Sequence, residues 1–244
     1  GLQDAYTYIA RGQVFANAQT GNIVLLSQNL FSGNWGRVLH YLFPLCAFGL
    51  GVAAAEAIRW KFQKIRAVHW RQLVLLVEIL LLLAVGLLSQ PLNMLANALV
   101  SFSCAMQVQA FRKVDGYAFA STMCIGNLRS GVESLMAGGR TQDRKLLGKA
   151  GHYFSVILLF ALGAGIGGLL IPRFGDKTIW FSCLILTLGF LVMFIREDLE
   201  ENPDIQAAEN SIHQELRHIG QDLHKELDQE HDAIEQQLHH PHKK

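Results

Sequence analysis

Phe15-Ala16-Asn17-Ala18-Gln19-Thr20-Gly21-Asn22 is a short polar stretch inside apolar sequence. A near copy follows as Phe119-Ala120-Ser121-Thr122-Met123-Cys124-Ile125-Gly126-Asn127. The echo starts earlier. Gly1-Leu2-Gln3 lies over Ala105-Met106-Gln107, Gly12 over Gly116 and Phe15 over Phe119, without a gap. One residue is then inserted. After it Gly21-Asn22 lies over Gly126-Asn127, and Leu30-Phe31-Ser32-Gly33 over Leu135-Met136-Ala137-Gly138. The chain is therefore built from two copies of one unit, and the fold has to accommodate both.

The 244 residues are 51% apolar, unevenly spread. Residues 1–196 hold 17 Lys and Arg against 7 Asp and Glu, a net of +10; residues 197–244 hold 4 against 13, a net of −9. The overall +1 conceals a basic apolar region and an acidic tail. Val38–Ile58, Leu73–Leu88, Leu92–Phe111, Ala150–Ile171 and Thr178–Ile195 are long apolar runs. A bilayer needs about 20 apolar residues in a helix. A soluble domain would bury one or two such helices, so the runs predict an all-α, polytopic membrane protein. Gly1–Ile9 reads as the end of a first helix that begins upstream, since the second copy has Leu92–Cys104 ahead of the matching position. Pro44 should kink the second helix.

Lys and Arg collect in cytoplasmic loops. The loop from Arg59 to Arg71 carries five, and that from Arg140 to Lys149 carries four. Both fall inside only if the polar stretch 116–138 enters the membrane and returns. The uncharged turn Ser89-Gln90-Pro91 and the short loop Pro172–Lys177 then fall outside. This gives six crossings, two re-entrant half-helix segments (12–31 and 116–138) and cytoplasmic termini. Each copy holds three crossings, so the copies are inverted, as in many secondary transporters. The organisation is a first repeat over 1–89, a second over 92–196 and a tail over 197–244. Exposed irregular backbone is not tolerated in lipid, so the two polar stretches should cover one another around a hydrated cavity. The tail carries apolar residues from Ile205 to Leu238 at three-, four- and seven-residue steps. They predict an amphipathic or coiled-coil helix able to join a second copy or another partner.

Asp4-Ala5-Tyr6, the Val14–Asn22 stretch, Phe119-Ala120-Ser121-Thr122-Met123 and Gly126-Asn127-Leu128-Arg129-Ser130 together resemble the YoaK-like family of uncharacterised bacterial inner-membrane proteins. The resemblance covers residues 1 to about 196 and excludes the tail. It implies an integral membrane protein and supplies neither a substrate nor active-site residues.

Ionisable groups inside a membrane are costly and need a reason. Asp4 is either a carboxylate at the interface or on re-entrant backbone, or a proton or cation site. Glu78 is either a protonated or paired helix contact, or a coupling group. Arg129 and Glu133, four apart on one helix face, either neutralise each other or read an anionic group. Thr20, Asn22, Ser121, Thr122 and Asn127 either cap half-helices or contact a solute. Gly21 and Gly126 permit a turn or a close backbone approach. The four cysteines lie singly, and the seven tail histidines match no compact metal spacing, so no metal and no cofactor are expected. No hydrolase triad, phosphate loop or carboxylate pair is present, so no enzyme is expected. No nucleic-acid partner is expected either. The leading reading is a small transporter or facilitator of a small polar or ionic solute in the lipid bilayer, with proton coupling through Asp4 or Glu78. A passive channel of the same segments and a scaffold acting through the tail are the alternatives.

Overall fold

The first helix, α1 (Leu2–Ala10), stops at Arg11, and the chain reverses at Gly12 and Gln13. Both reversing residues lie in the left-handed region, with φ of 90° and 63°. Glycine takes this conformation without penalty, whereas a side chain there is strained. The chain then bends at Ala16 and Asn17, and α2 (Gln19–Phe31) begins. The Phe15 ring stacks on Tyr8, with centroids 4.7 Å apart, and the Asn17 N–H reaches the Asp4 carboxylate at 2.8 Å. Residues 12–17 therefore double back along α1, and α2 starts beside its middle. The sequence predicted a half-helix in 12–31; the helical part is its second portion alone.

The computed structural model describes residues 1–62, 70–111, 113–114, 117–118 and 124–201, with side chains for all of these but 113–114, 117–118 and 194–201. The remaining helices are α3 (Trp35–Phe62), α4 (Trp70–Val85), α5 (Asn93–Ala110), α6 (Cys124–Thr141), α7 (Arg144–Phe174) and α8 (Ile179–Glu201). Between α5 and α6, strands β1 (Lys113–Val114) and β2 (Tyr117–Ala118) form one short antiparallel pair, and the rest of the described fold is helical. Counted from the matched glycines, α2 and α6 start at equivalent places: Gln19 precedes Gly21 as Cys124 precedes Gly126. The expected tail, with its histidines, lies outside the described residues. So do Ser121 and Thr122.

Several boundaries move. α7 starts at Arg144, ahead of the expected Ala150, because the Asp143 side chain accepts the Lys145 N–H at 2.8 Å and caps the helix. α6 runs on to Thr141 because Gly138 and Gly139 do not end it; Gly138 instead lets α6 approach Leu146 and Leu147 of α7. α8 continues past Ile195 to Glu201. Pro44 sits inside α3, at an interior position.

Small residues decide how the helices meet. α3 packs along α5, and α7 along α1. A methyl group on Gly51 would strike the Phe102 carbonyl and the Ala105 side chain of α5. One on Gly167 would come within 3.0 Å of Ala5 of α1. Such glycines let helix backbones touch where lipid offers no hydrophobic driving force. At one end Ala55, Val74, Met106 and Ala110 close a small apolar core between α3, α4 and α5.

The distribution of polarity is inside-out. Leu50, Leu80, Leu158, Leu159, Leu169, Ile185 and Leu188 are exposed, whereas Asp4, Arg11, Asn22, Glu78 and Asn97 are buried. A soluble protein hides its leucines and wets its charges. The reverse arrangement fits a bundle whose solvent is lipid. Trp35–Phe62 and Arg144–Met193 are long and apolar enough to cross a bilayer. α4 has 16 residues, and α5 carries a polar face, so neither passes on length and composition.

Candidate functional site

Where α2 begins, polar side chains from four segments meet inside the bundle. Glu78 of α4 accepts from Gln3 Nε2 at 3.5 Å. Gln3 Oε1 accepts from the Cys104 thiol of α5 at 2.6 Å. Cys104 Sγ accepts from Asn17 Nδ2 at 3.2 Å, and the Asn17 N–H donates to Asp4 Oδ1 at 2.8 Å. The result is one chain of contacts, Glu78–Gln3–Cys104–Asn17–Asp4, that links the two candidate carboxyls. All five residues are buried. Asp4 thus holds the amide of the doubled-back segment, which is the backbone-binding role weighed for it.

A second group of buried polar residues adjoins the first. Asn97, Ser101 and Cys104 fall at helical spacing on one face of α5. Asn97 Nδ2 donates to the Arg11 carbonyl at 2.7 Å, and Thr7 of α1 donates to the Gln3 carbonyl at 3.1 Å. The polar file ends at Arg11, whose side chain is fully buried. Its Nε donates to the Tyr6 hydroxyl at 2.7 Å and its Nη1 to Asn93 Oδ1 at 2.9 Å. Its Nη2 donates to the carbonyls of Val85 and Leu88 at 3.1 and 2.9 Å and lies 3.6 Å from Asp176 Oδ1. One guanidinium therefore ties the end of α1 to the α4–α5 turn and to the loop after α7.

Asn22 is completely buried. Its Oδ1 accepts the Phe15 N–H at 3.0 Å, and its Nδ2 donates to the Phe15 carbonyl at 2.7 Å and to Gln19 Oε1 at 2.9 Å. It satisfies both polar groups of a residue that has left the helix. Gly21 carries no side chain because the Phe15 ring lies about 3.0 Å from where a Cβ would stand. Thr20 is exposed. In α6, Asn127, Gly131, Ser134 and Gly138 form the buried face. Arg129 and Glu133 are exposed, and no ion pair joins them among the described residues. Gly126 has open space at its Cβ. The structure thus brings Asp4 and Glu78 together, buries Asn22 and Asn127, and places Thr20, Arg129 and Glu133 outward. A separate cleft of about 590 Å³ opens between Gly12, Gln13, Gly36, Arg37 and His40, where His40 Nε2 lies 2.8 Å from the Gly12 carbonyl.

Sequence reasoning did not single out Arg11, Gln3, Asn17 and Cys104. The polar spacing of Asn97, Ser101 and Cys104 was the available signal, since it marks one face of α5 as unsuited to lipid.

Residues 1–192 match the protein family described as "Protein of unknown function (DUF1275)". The chain belongs to this family. A relative within reach is the UPF0700 transmembrane protein YoaK of Bacillus subtilis (strain 168), 28% identical over 204 residues, which cover 79% of this chain and 88% of the relative. The match agrees with the YoaK-like resemblance read from the Asp4, Asn22 and Asn127 motifs, and with the lipid-facing exterior. The DUF1275 chain described here is thus a helical membrane protein. No solved structure matches it.

Proposed function

We propose that this protein is a small transporter or facilitator that moves a small polar or ionic solute across the bacterial inner membrane, with Asp4 and Glu78 as its coupling groups. One observation carries the reading. The break after α1 folds a backbone segment against Asp4, in a buried polar cluster that also holds Glu78 of α4, inside a bundle whose outside is apolar. Non-helical backbone at membrane depth persists where it is covered by protein or lines a cavity. Intramembrane carboxyls facing the bundle interior mark ion and proton paths.

The reading includes six crossings as two inverted repeats of three, with two re-entrant segments and cytoplasmic termini. Several contacts support it. α7 lies on α1 as α3 lies on α5, which exchanges the copies pairwise. The Arg11 clasp gathers the two turns expected outside, at Leu88 and Asp176. Glu56 of α3 meets Gln109 of α5 at 2.6 Å, and Arg71 of α4 reaches the Ala110 carbonyl at 3.2 Å, which gathers the opposite ends. Cysteines introduced in 63–69 and at Arg140 should both react only from the cytoplasmic side. Reaction of the second from outside would make α6 a crossing and remove the inversion.

Transport itself is tested in proteoliposomes holding a pH-sensitive dye. A thermal-shift screen first selects solutes, since a ligand that binds only the folded state raises apparent stability. Addition of a selected solute should change the lumenal pH, and Asp4→Asn or Glu78→Gln should abolish the change. Absence of solute flux with every hit refutes transport. Flux that persists unchanged without a pH gradient, and in both variants, marks a passive channel.

A further inference from the structure

The outer face of α6 carries two charges that nothing else in the described molecule meets. Arg129 and Glu133 are exposed and take part in no side-chain hydrogen bond or ion pair among the described residues. We propose that this face is a contact surface between two copies of the chain, in which Arg129 of each copy pairs with Glu133 of the other. The inference stands apart from transport and holds equally for a channel or a scaffold.

The surface has the pattern of a helix seam. Asn127, Gly131, Ser134 and Gly138 form the buried face of α6. Gly131 lies against Tyr153 and Phe154 of α7, and Gly138 against Leu146 and Leu147, so α7 runs antiparallel along this face. On the opposite side Ile125, Arg129, Val132, Met136 and Gly139 are all exposed. They follow at steps of four, three, four and three residues, the spacing by which one helix presents a continuous seam to another. Glu133 flanks that seam. Gly126 and Gly139 have open space where a side chain would begin, so a second backbone can come close there.

The charges decide what the seam fits. Arg129 stands about 16 Å along the helix from Arg140, the cation of its last turn. A charge that far along a helix of a membrane bundle is costly unless it is paired. Pairing within α6 is poor, because arginine before glutamate is the less favourable order for a four-residue step. The other copy of the repeat supplies the comparison. At the matching positions α2 carries Val24 and Gln28, beside exposed Ile23, Leu30 and Phe31. That face suits lipid. Asn22 and Asn127 are buried in the two half-helices, so these share their inward chemistry and differ outward. The outward difference is one cation and one anion, which together are self-complementary. A two-fold axis along the bilayer normal sets equal depths of two α6 helices side by side. A four-residue step is then about 6 Å, within reach of an arginine side chain. Two identical ion pairs result, one on each side of the axis. A lipid chain or a neutral helix would leave both charges without a partner.

Differently tagged full-length copies, co-expressed and purified through one tag into lipid nanodiscs, test the surface. Wild-type copies should copurify. Arg129→Glu should lower recovery of the second tag about tenfold or more, and so should Glu133→Arg, because each variant makes its own pairs like-charged. An Arg129→Glu copy expressed with a Glu133→Arg copy should restore copurification, since every cross pair is then opposite in sign. So should both substitutions in one chain. Wild-type copies that stay apart overturn the proposal. Copurification untouched by either substitution overturns it too, and moves the junction to residues 197–244. Variants that fold, part when alone and stay apart when mixed also overturn it, since an ion pair inside α6 gains nothing from mixing. A second measurement keeps the native charges in case a variant does not fold. Met136→Cys should crosslink between copies with a short thiol reagent, above the background of the native cysteines. Leu158→Cys, exposed on α7, should not. Met136→Cys that crosslinks no more than Leu158→Cys overturns the proposal.

Discussion

Replacing Arg11 by methionine keeps most of the aliphatic volume and removes the guanidinium that joins three turns. The loss is concentrated. The Val85 and Leu88 carbonyls each lose a charged donor, at 3.1 and 2.9 Å, and Asn93 loses one at 2.9 Å. Tyr6 keeps its bond to the Asp176 carbonyl at 3.0 Å, so its hydroxyl is not orphaned. Hydrogen bonds with a charged partner contribute about 1.5–3 kcal/mol each, but release of a buried cation offsets part of their sum. Breaking a buried charged arrangement by removing one member typically costs about 3–5 kcal/mol. For a chain of this size each kcal/mol moves the melting midpoint by about 2–4 °C, so the drop should be about 6–20 °C. The assay is thermal unfolding in detergent, followed by tryptophan fluorescence. Asp176→Asn is the control. The Asp176 side chain is 28% exposed and keeps a Gln90 contact at 2.6 Å, so its loss should cost no more than about 1 kcal/mol. Arg11→Lys should fall between the two, because a point charge cannot serve all the acceptors of the fork. An Arg11→Met protein that melts within about 2 °C of wild type, or no lower than Asp176→Asn, would refute the clasp.

Gly51→Ala and Gly167→Ala should each destabilise by about 1–3 kcal/mol, because the new methyl meets the backbone of α5 or the Ala5 side chain. Gly49→Ala and Gly165→Ala face open space and should be neutral or slightly stabilising in the same melting assay. Asn22→Ala strands both polar groups of Phe15 and should cost about 2–4 kcal/mol; Asn22→Asp keeps the acceptor for the Phe15 N–H and should lose the donor side only. Equal melting of the two Asn22 variants would show that the bond accepted from the Phe15 N–H contributes nothing to stability.

Much of this architecture was legible in the sequence because lipid imposes a coarse rule. Long apolar runs gave α3, α7 and α8 nearly in place, whereas the polar segments expected over 12–31 and 116–138 become helical only from Gln19 and Cys124. Ends governed by local chemistry were less legible. The Asp143 cap extends α7 through Lys145 and Lys149, residues that a hydropathy reading assigns to a loop. Asn22 was visible as a polar residue in the wrong place, but its service to Phe15 depends on the chain doubling back. Arg11 escaped attention because its partners are Val85, Leu88, Asn93 and Asp176, far along the chain, and no local pattern announces a clasp. Arg129 and Glu133 were read correctly as sharing a face. That face turns away from α7, because Asn127, Gly131 and Ser134 are the small residues that fit there.

The glycine contacts also set a timetable for biosynthesis. α1 rests on α7, and Gly167 stands far behind Gly1 in order of synthesis. At about 5–20 residues per second, α1 waits roughly 10–30 s after emergence before its partner exists. Throughout that interval it carries Asp4 and Arg11 without α7, and for the first half of it without the α4–α5 turn as well. α3 waits a shorter time for α5. The insertion machinery must therefore shelter an unaccompanied charged helix, and the N-terminal half has no completed form of its own to leave behind if translation stops early.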